Sequence, residues 1–139
     1  MLKKINENGQ KAYQRTDFED RSLPYRNWIR TIDCGGFFVD VDFIKWRKIE
    51  NVYTPVAVTD LTRCDSLDVN KKYLDAVIQR FFIRDAQGDV LTELGKRLGV
   101  PVYLVLFQKD LIWLQVYSFR KKTWQKFTRT TWANFLKKL

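Results

Sequence analysis

The chain has no histidine among its 139 residues. That removes Ser–His and Cys–His nucleophilic schemes and any histidine general base. Only two cysteines are present, Cys34 and Cys64, with no C-x-x-C spacing, so zinc sites of the usual kinds are nearly excluded as well. An enzyme of this composition has carboxylates, lysine, tyrosine and metal-bound water to work with. The two cysteines read as reduced, buried thiols, although a hairpin of suitable register would set one across from the other. No apolar run approaches a membrane span, and the opening Met-Leu-Lys-Lys-Ile-Asn-Glu-Asn lacks the apolar stretch of a signal peptide. A cytoplasmic protein without a membrane partner is expected. Repeats, low-complexity tracts and Gly-rich phosphate loops are also missing.

Acidic residues vanish after Asp110. The remainder of the chain holds Arg120, Lys121, Lys122, Lys126, Arg129, Lys137 and Lys138, interleaved with Trp113, Tyr117, Phe119, Trp124, Phe127, Trp132 and Phe135. The net charge is +9, and its segregation argues for a polyanionic partner. Lys and Arg neutralise phosphates, and aromatic faces can stack on unpaired bases. Arg120, Lys121, Lys122, Lys126 and Arg129 are the candidate nucleic-acid contacts. The aromatics read first as core, with the cations around them.

At 139 residues and 45% hydrophobic content the chain suits one domain with a real core. Residues 1–16 are a polar lead-in and 120–139 a basic, aromatic C-terminal segment. Ser22 and Pro24 suit the start of a short helix whose buried stripe is Tyr25, Trp28 and Ile29. Asp33-Cys34-Gly35-Gly36 is a turn. Strands follow at 37–47 and 53–63. A helix begins at Ser66 or Asp68, with apolar pairs recurring every four residues from Tyr73 to Phe82. Asp89 caps another helix, which Gly99 ends. The apolar run 102–107 reads as a central strand covered on both faces, and 111–119 as its neighbour. The last nine residues form a basic amphipathic helix. The order is α-β-β-α-α-β-β-α, an α/β fold with a mixed central sheet and flanking helices.

The two leading strands carry acids. Alternation puts Asp40 and Asp42 on one face of the first, and Asp60 and Thr62 on one face of the second. Isolated charges on half-buried strands are costly, and a divalent cation held by oxygen ligands is an economical reason for them. Edge protection or salt bridging is the plainer alternative. For the two pairs to share a face, paired positions must sum to an even number, so the turn near residues 48–51 needs an odd loop or a bulge.

This arrangement resembles the PD-(D/E)xK nuclease superfamily. Asp42, in Val-Asp-Phe-Ile, stands at the place of the first acid. Asp60, in Val-Ala-Val-Thr-Asp-Leu-Thr, stands at the second, and Thr62 at the usual lysine. The resemblance implies a restriction-endonuclease-like core, Mg2+ or Mn2+ held by Asp42 and Asp60, and hydrolysis of DNA phosphodiester bonds. Asp40 is an alternative ligand if the register shifts, and Glu19 a first-helix candidate. Arg63 follows Thr62 but points to the opposite face; Lys45 or Lys48 could supply a displaced cation. Gln79 reads as solvent-facing. DNA is preferred to RNA as partner, and pairing into a homodimer would let a single-site nuclease cut a duplex. A nucleic-acid-binding protein that no longer cuts, and a protein-interaction module of a virus or mobile element, are the other classes.

Overall fold

The computed structural model describes residues 22–66 and 68–139, which form parts of two compact units, Met1–Phe38 and Val39–Leu139. In the first unit, helix α1 spans Leu23–Ile29, with Pro24 in its opening turn, where the missing N–H costs nothing. Ser22 takes the N-cap position without a capping side-chain hydrogen bond to the helix. The expected buried stripe does not form. No α1 residue is buried; Tyr25 and Trp28 are exposed, their rings 5.5 Å apart. Seven residues are two turns, too few to make a helix that is stable on its own. Cys34 is exposed rather than buried, because it sits in a turn where Gly35 and Gly36 take φ of 71° and 80°. Cys64 is buried, and both thiols are free.

The second unit is built on one five-stranded mixed sheet. Its strands are β1 (Phe43–Ile49), β2 (Val52–Arg63), β3 (Val102–Phe107), β4 (Leu114–Ser118) and β5 (Thr123–Phe127), neighbours in that order. β2 and β3 are parallel; the other pairs are antiparallel. A parallel pair needs a long crossover. Here it holds α2 (Lys71–Gln79), a π-helical turn (Arg80–Arg84) and α3 (Gln87–Leu98). Helix α4 (Arg129–Lys137) ends the chain. The architecture is therefore α/β with flanking helices, as expected.

Alternation sorts the core into two faces. On one, Val58, Leu104 and Tyr117 pack with Val77, Phe81 and Leu91 of the crossover. On the other, Val105, Val116 and Phe127 pack with Trp132 of α4. β3, in the middle of the order, is covered on both sides, which explains its continuous apolar run. The C-terminal aromatics are thus mainly core: Tyr117, Phe119, Phe127 and Trp132 are all buried.

Four expectations need correction. β1 runs from Phe43 to Ile49 and not over 37–47, so Asp40 and Asp42 precede its first residue rather than lie on it. α2 is capped by Asn70, whose side chain accepts from Tyr73 N at 3.0 Å, and not by Ser66 or Asp68; those two bond each other in the preceding loop. α3 begins before Asp89, which lies in its first turn. The segment after 119 contributes a fifth strand. Its tight turn is closed by Lys122 at φ 55°, with no glycine or asparagine to mark it.

Close helix-to-strand contact is set by Gly95 of α3. A Cβ there would stand 2.5 Å from Val102 Cγ2 and 3.1 Å from Val100 O. Gly95→Ala is expected to destabilise the fold by about 1–3 kcal/mol, the usual range for overpacking. Urea unfolding checks this; an unchanged or higher midpoint would contradict the contact.

Candidate active site

The β1–β2 register decides whether the acids meet. The turn is two residues, Glu50 and Asn51, with φ of 48° and 66°, the double positive φ of a type I′ hairpin turn. Such a turn alone pairs Ile49 with Val52 and gives odd sums. A bulge between Lys45 and Trp46 then shifts the pairing, so that Lys45 faces Ala57, Ile44 faces Val58 and Phe43 faces Thr59. The sums become even. Asp42, the next residue back, reaches β2 at Asp60, and its Oδ2 accepts from Leu61 N at 2.8 Å. Ile44 joins the core on the α2–α3 side. Asp42, Asp60 and Thr62 therefore share the face that the crossover covers.

Asp60 is 1% exposed, the one charged side chain that is buried among the described residues. Its Oδ2 accepts from Gln87 Nε2 at 2.6 Å. Its Oδ1 has no hydrogen-bond partner. The Asp42 carboxyl stands close enough to bond it only if one of the two carries a proton, since two carboxylates are both acceptors. Burial is the main reason that the Asp60 pKa rises from 3.8 to about 7; the hydrogen bond with Asp42, the Asp42 charge and, more weakly, the Asp40 charge add to it. Asp42 and Asp40 are themselves exposed.

The cation at this site is one the sequence analysis did not select. Arg80 Nη2 donates to Thr62 Oγ1 at 2.8 Å. Arg80 opens the π-helical turn, marked by the Asp85 N to Arg80 O bond of 3.0 Å. Single π turns are frequent at functional sites. The guanidinium also lies near Tyr73, where it opposes the upward pKa shift caused chiefly by a hydrogen bond with the Cys64 thiol.

Lys45 and Lys48 do not take this place. Lys45 Nζ donates to Leu136 O, and Arg47 Nη2 to Lys137 O, so both serve the C-terminal carbonyls of α4. Burial and the Arg47 charge lower the Lys45 pKa. Lys48 Nζ lies 5.4 Å from the Tyr53 ring centre. Gln79 is exposed on α2; the amide that reaches the acids is Gln87. Gln87 precedes a glycine and reads from sequence as a helix breaker. Only its place at the start of α3, below β2, exposes its role.

Of the basic residues, Arg120, Lys121 and Lys122 lie between β4 and β5, Lys126 on β5 and Arg129 at the start of α4. The row Thr62–Leu106–Gln115–Lys126 runs straight across the sheet, which puts Lys126 on the face of the acids at the far edge. Lys121 lines a small hollow of about 60 Å³ on the other face, with Tyr103, Trp132 and Phe135. The basic residues are spread over two faces rather than gathered at the acids. Glu19 lies outside the described residues.

Two adjoining carboxylates, one with an unpartnered buried oxygen, are hard oxygen donors that suit Mg2+ or Mn2+. Mg2+ is commonly bound by one or two carboxylates, with water and substrate phosphate completing its shell. Among the described residues, no group of three or more His, Cys, Asp or Glu gathers at one point, so Asp40 is not part of a three-carboxylate cage. Nor, among them, is any helix long and apolar enough to cross a membrane. Comparison with protein-family models, with curated proteins and with solved structures found no match.

Proposed function

We propose that the chain is a metal-dependent nuclease acting on DNA, with a restriction-endonuclease-like arrangement of its β1–β2 hairpin and crossover. The observation that carries this reading is Asp60: a buried carboxylate with an unpartnered oxygen, beside Asp42, with an arginine bonded to Thr62 two residues further along the strand. A buried carboxyl in that state costs stability unless something cationic completes it. Asp42 and Asp60 would hold Mg2+ or Mn2+. When bound, such an ion supplies Lewis-acid polarisation of a phosphate and a lowered pKa for water.

The other residues have separate tasks. Gln87 fixes the Asp60 carboxyl in one rotamer through Oδ2, which leaves Oδ1 for the site. Leu61 N does the same for Asp42. Thr62 has no charge, but its hydroxyl anchors the Arg80 guanidinium, which would stabilise negative charge developing on the phosphate. Arg80 thus takes the part that the lysine plays in the resembled family. Binding without cutting is the second reading, favoured by Thr62 itself.

The test is incubation of the protein with supercoiled, linear and branched DNA in Mg2+, in Mn2+ and in chelator. Cleavage in metal and none in chelator is expected. Intact DNA under every condition would sink the nuclease reading. The basic end has its own check. Lys121→Glu, Lys122→Glu and Lys126→Glu together are expected to weaken DNA binding and to flatten the plot of log affinity against log salt by up to about three. An unchanged slope would free these residues from phosphate contact.

A further inference from the structure

The β1–β2 hairpin extends beyond the five-stranded sheet. β3 pairs with β2 only from Val58 onward, so the stretch before it has β1 as its strand neighbour and, among the described residues, no strand on its other edge. On this ribbon Trp46 faces Pro55 and Lys48 faces Tyr53. The bulge leaves Val56 of β2 unpaired, so β1 alternates unbroken from Ile44, which packs on the crossover face, and puts Trp46 and Lys48 on that face, with their partners Pro55 and Tyr53. Trp46 is 54% exposed and Tyr53 72%. Neither side chain is needed to fill the core, and two large rings left in water on one face mark a binding surface.

Charge selects the occupant. A second copy of the chain would bring the same face, with its own Lys48, against this Lys48, and strand edges carrying lysine repel one another. A polyanion is drawn to that cation, and to a chain of net charge +9. The Lys48 ammonium, 5.4 Å from the Tyr53 ring centre, places a phosphate partner beside an aromatic face. Stacking on such faces requires bases that are not already paired.

We infer that the Trp46–Tyr53 face of the hairpin holds unpaired nucleotides and leads a single strand to Asp42 and Asp60. Trp46 lies four residues from Asp42, about 13 Å of extended chain. That is the length of about four stacked nucleotides at 3.4 Å each. The substrate class is nucleic acid with a single-stranded portion (a tail, flap or gap) next to the bond that is cut. The inference rests on the nuclease reading for where the strand leads, but its binding part stands apart from cutting.

The test is fluorescence anisotropy of the full-length protein in EDTA, where cutting is off, with labelled 20-mers of oligo(dT) and oligo(U) and a blunt 20-bp duplex. The parent is expected to bind a single strand, and the two 20-mers tell DNA from RNA. Trp46→Ala and Tyr53→Ala are each expected to raise the single-strand Kd about tenfold, with the duplex Kd moved less than twofold. Trp46→Phe keeps a stacking face and should restore most of the affinity. Equal binding by parent and variants would overturn the inference, as would a parent that ignores both single strands or an equal loss on duplex. Cleavage in Mg2+ by the parent is scored separately: its failure removes the nuclease reading while leaving the stacking result to stand or fall by itself.

Discussion

Asp60→Asn is expected to abolish metal-dependent cleavage and, at pH 8, to make the protein more stable than its parent. The two effects have one cause. Asp60 is buried, with Oδ1 unpartnered and the Asp42 carboxyl beside it, so its pKa rises from 3.8 to about 7. A raised folded pKa means that the native state holds the proton more tightly than the unfolded chain. The associated stability is fully present below the unfolded value and is lost as pH climbs through the folded one. The window therefore runs from about pH 4 to about pH 7, and the loss across it is at most about 4 kcal/mol at 1.36 kcal/mol per unit. Asparagine imitates the protonated acid: its oxygen can still accept from Gln87, and its NH2 can donate toward Asp42. The variant should show no such decline over this window. Magnesium should raise the thermal midpoint of the parent at pH 8 and leave that of the variant unmoved. Thermal melts from pH 4 to 8, with and without Mg2+, check the stability effects, and DNA cleavage in Mg2+ checks the loss of activity. A parent whose stability is level across the window would mean that Asp60 is not a strained acid, and the main support for the site would go.

Much of this site was legible in the residues. The even-sum condition on β1 and β2 followed from the alternation of Asp40, Asp42, Asp60 and Thr62, and the bulge at Lys45/Trp46 meets it. The covered central strand was legible from its unbroken apolar run, and the C-terminal helix from its pattern; Thr128 and Thr131 cap that helix reciprocally. Other features depend on contacts between elements distant in sequence, which no local pattern carries. Arg80 sits 18 residues from Thr62, within a helical segment whose sequence pattern is dominated by its apolar stripe. Gln87 reaches Asp60 across 27 residues. Lys45 and Lys48 were the nearer cations in sequence, but strand alternation sends Lys45 to the α4 side, and Lys48 lies by Tyr53, beyond the bulge. Strand β5 lacked a turn signal, because Lys122 supplies the positive φ that glycine or asparagine would have advertised.

The second large effect belongs to Arg80. Arg80→Ala is expected to lower kcat by about a hundredfold to a thousandfold, the usual result of removing one charge-stabilising group from a water-poor site. KM should change little, because the guanidinium matters most where charge builds in the transition state. The loss could also arise trivially, from disturbance of the part-buried Thr62 hydroxyl that Arg80 bonds. A second substitution separates the two causes. Thr62→Lys on the Arg80→Ala background puts an ammonium at the strand position next to Asp60, on the same face, and should recover at least a tenth of the parent rate. If the arginine only braced Thr62, the lysine would restore nothing. Full activity in Arg80→Ala would remove the cation from the site altogether. The recovery has a further physical requirement. A lysine at Thr62 must leave the crossover to reach a phosphate, and the space vacated by the arginine is what admits it. Thr62→Lys with Arg80 retained sets two cations against each other and should be both less stable and less active than the double variant. That order of rates, parent above double variant above either single change, is specific to a charge that has moved from the strand to the π-helical turn.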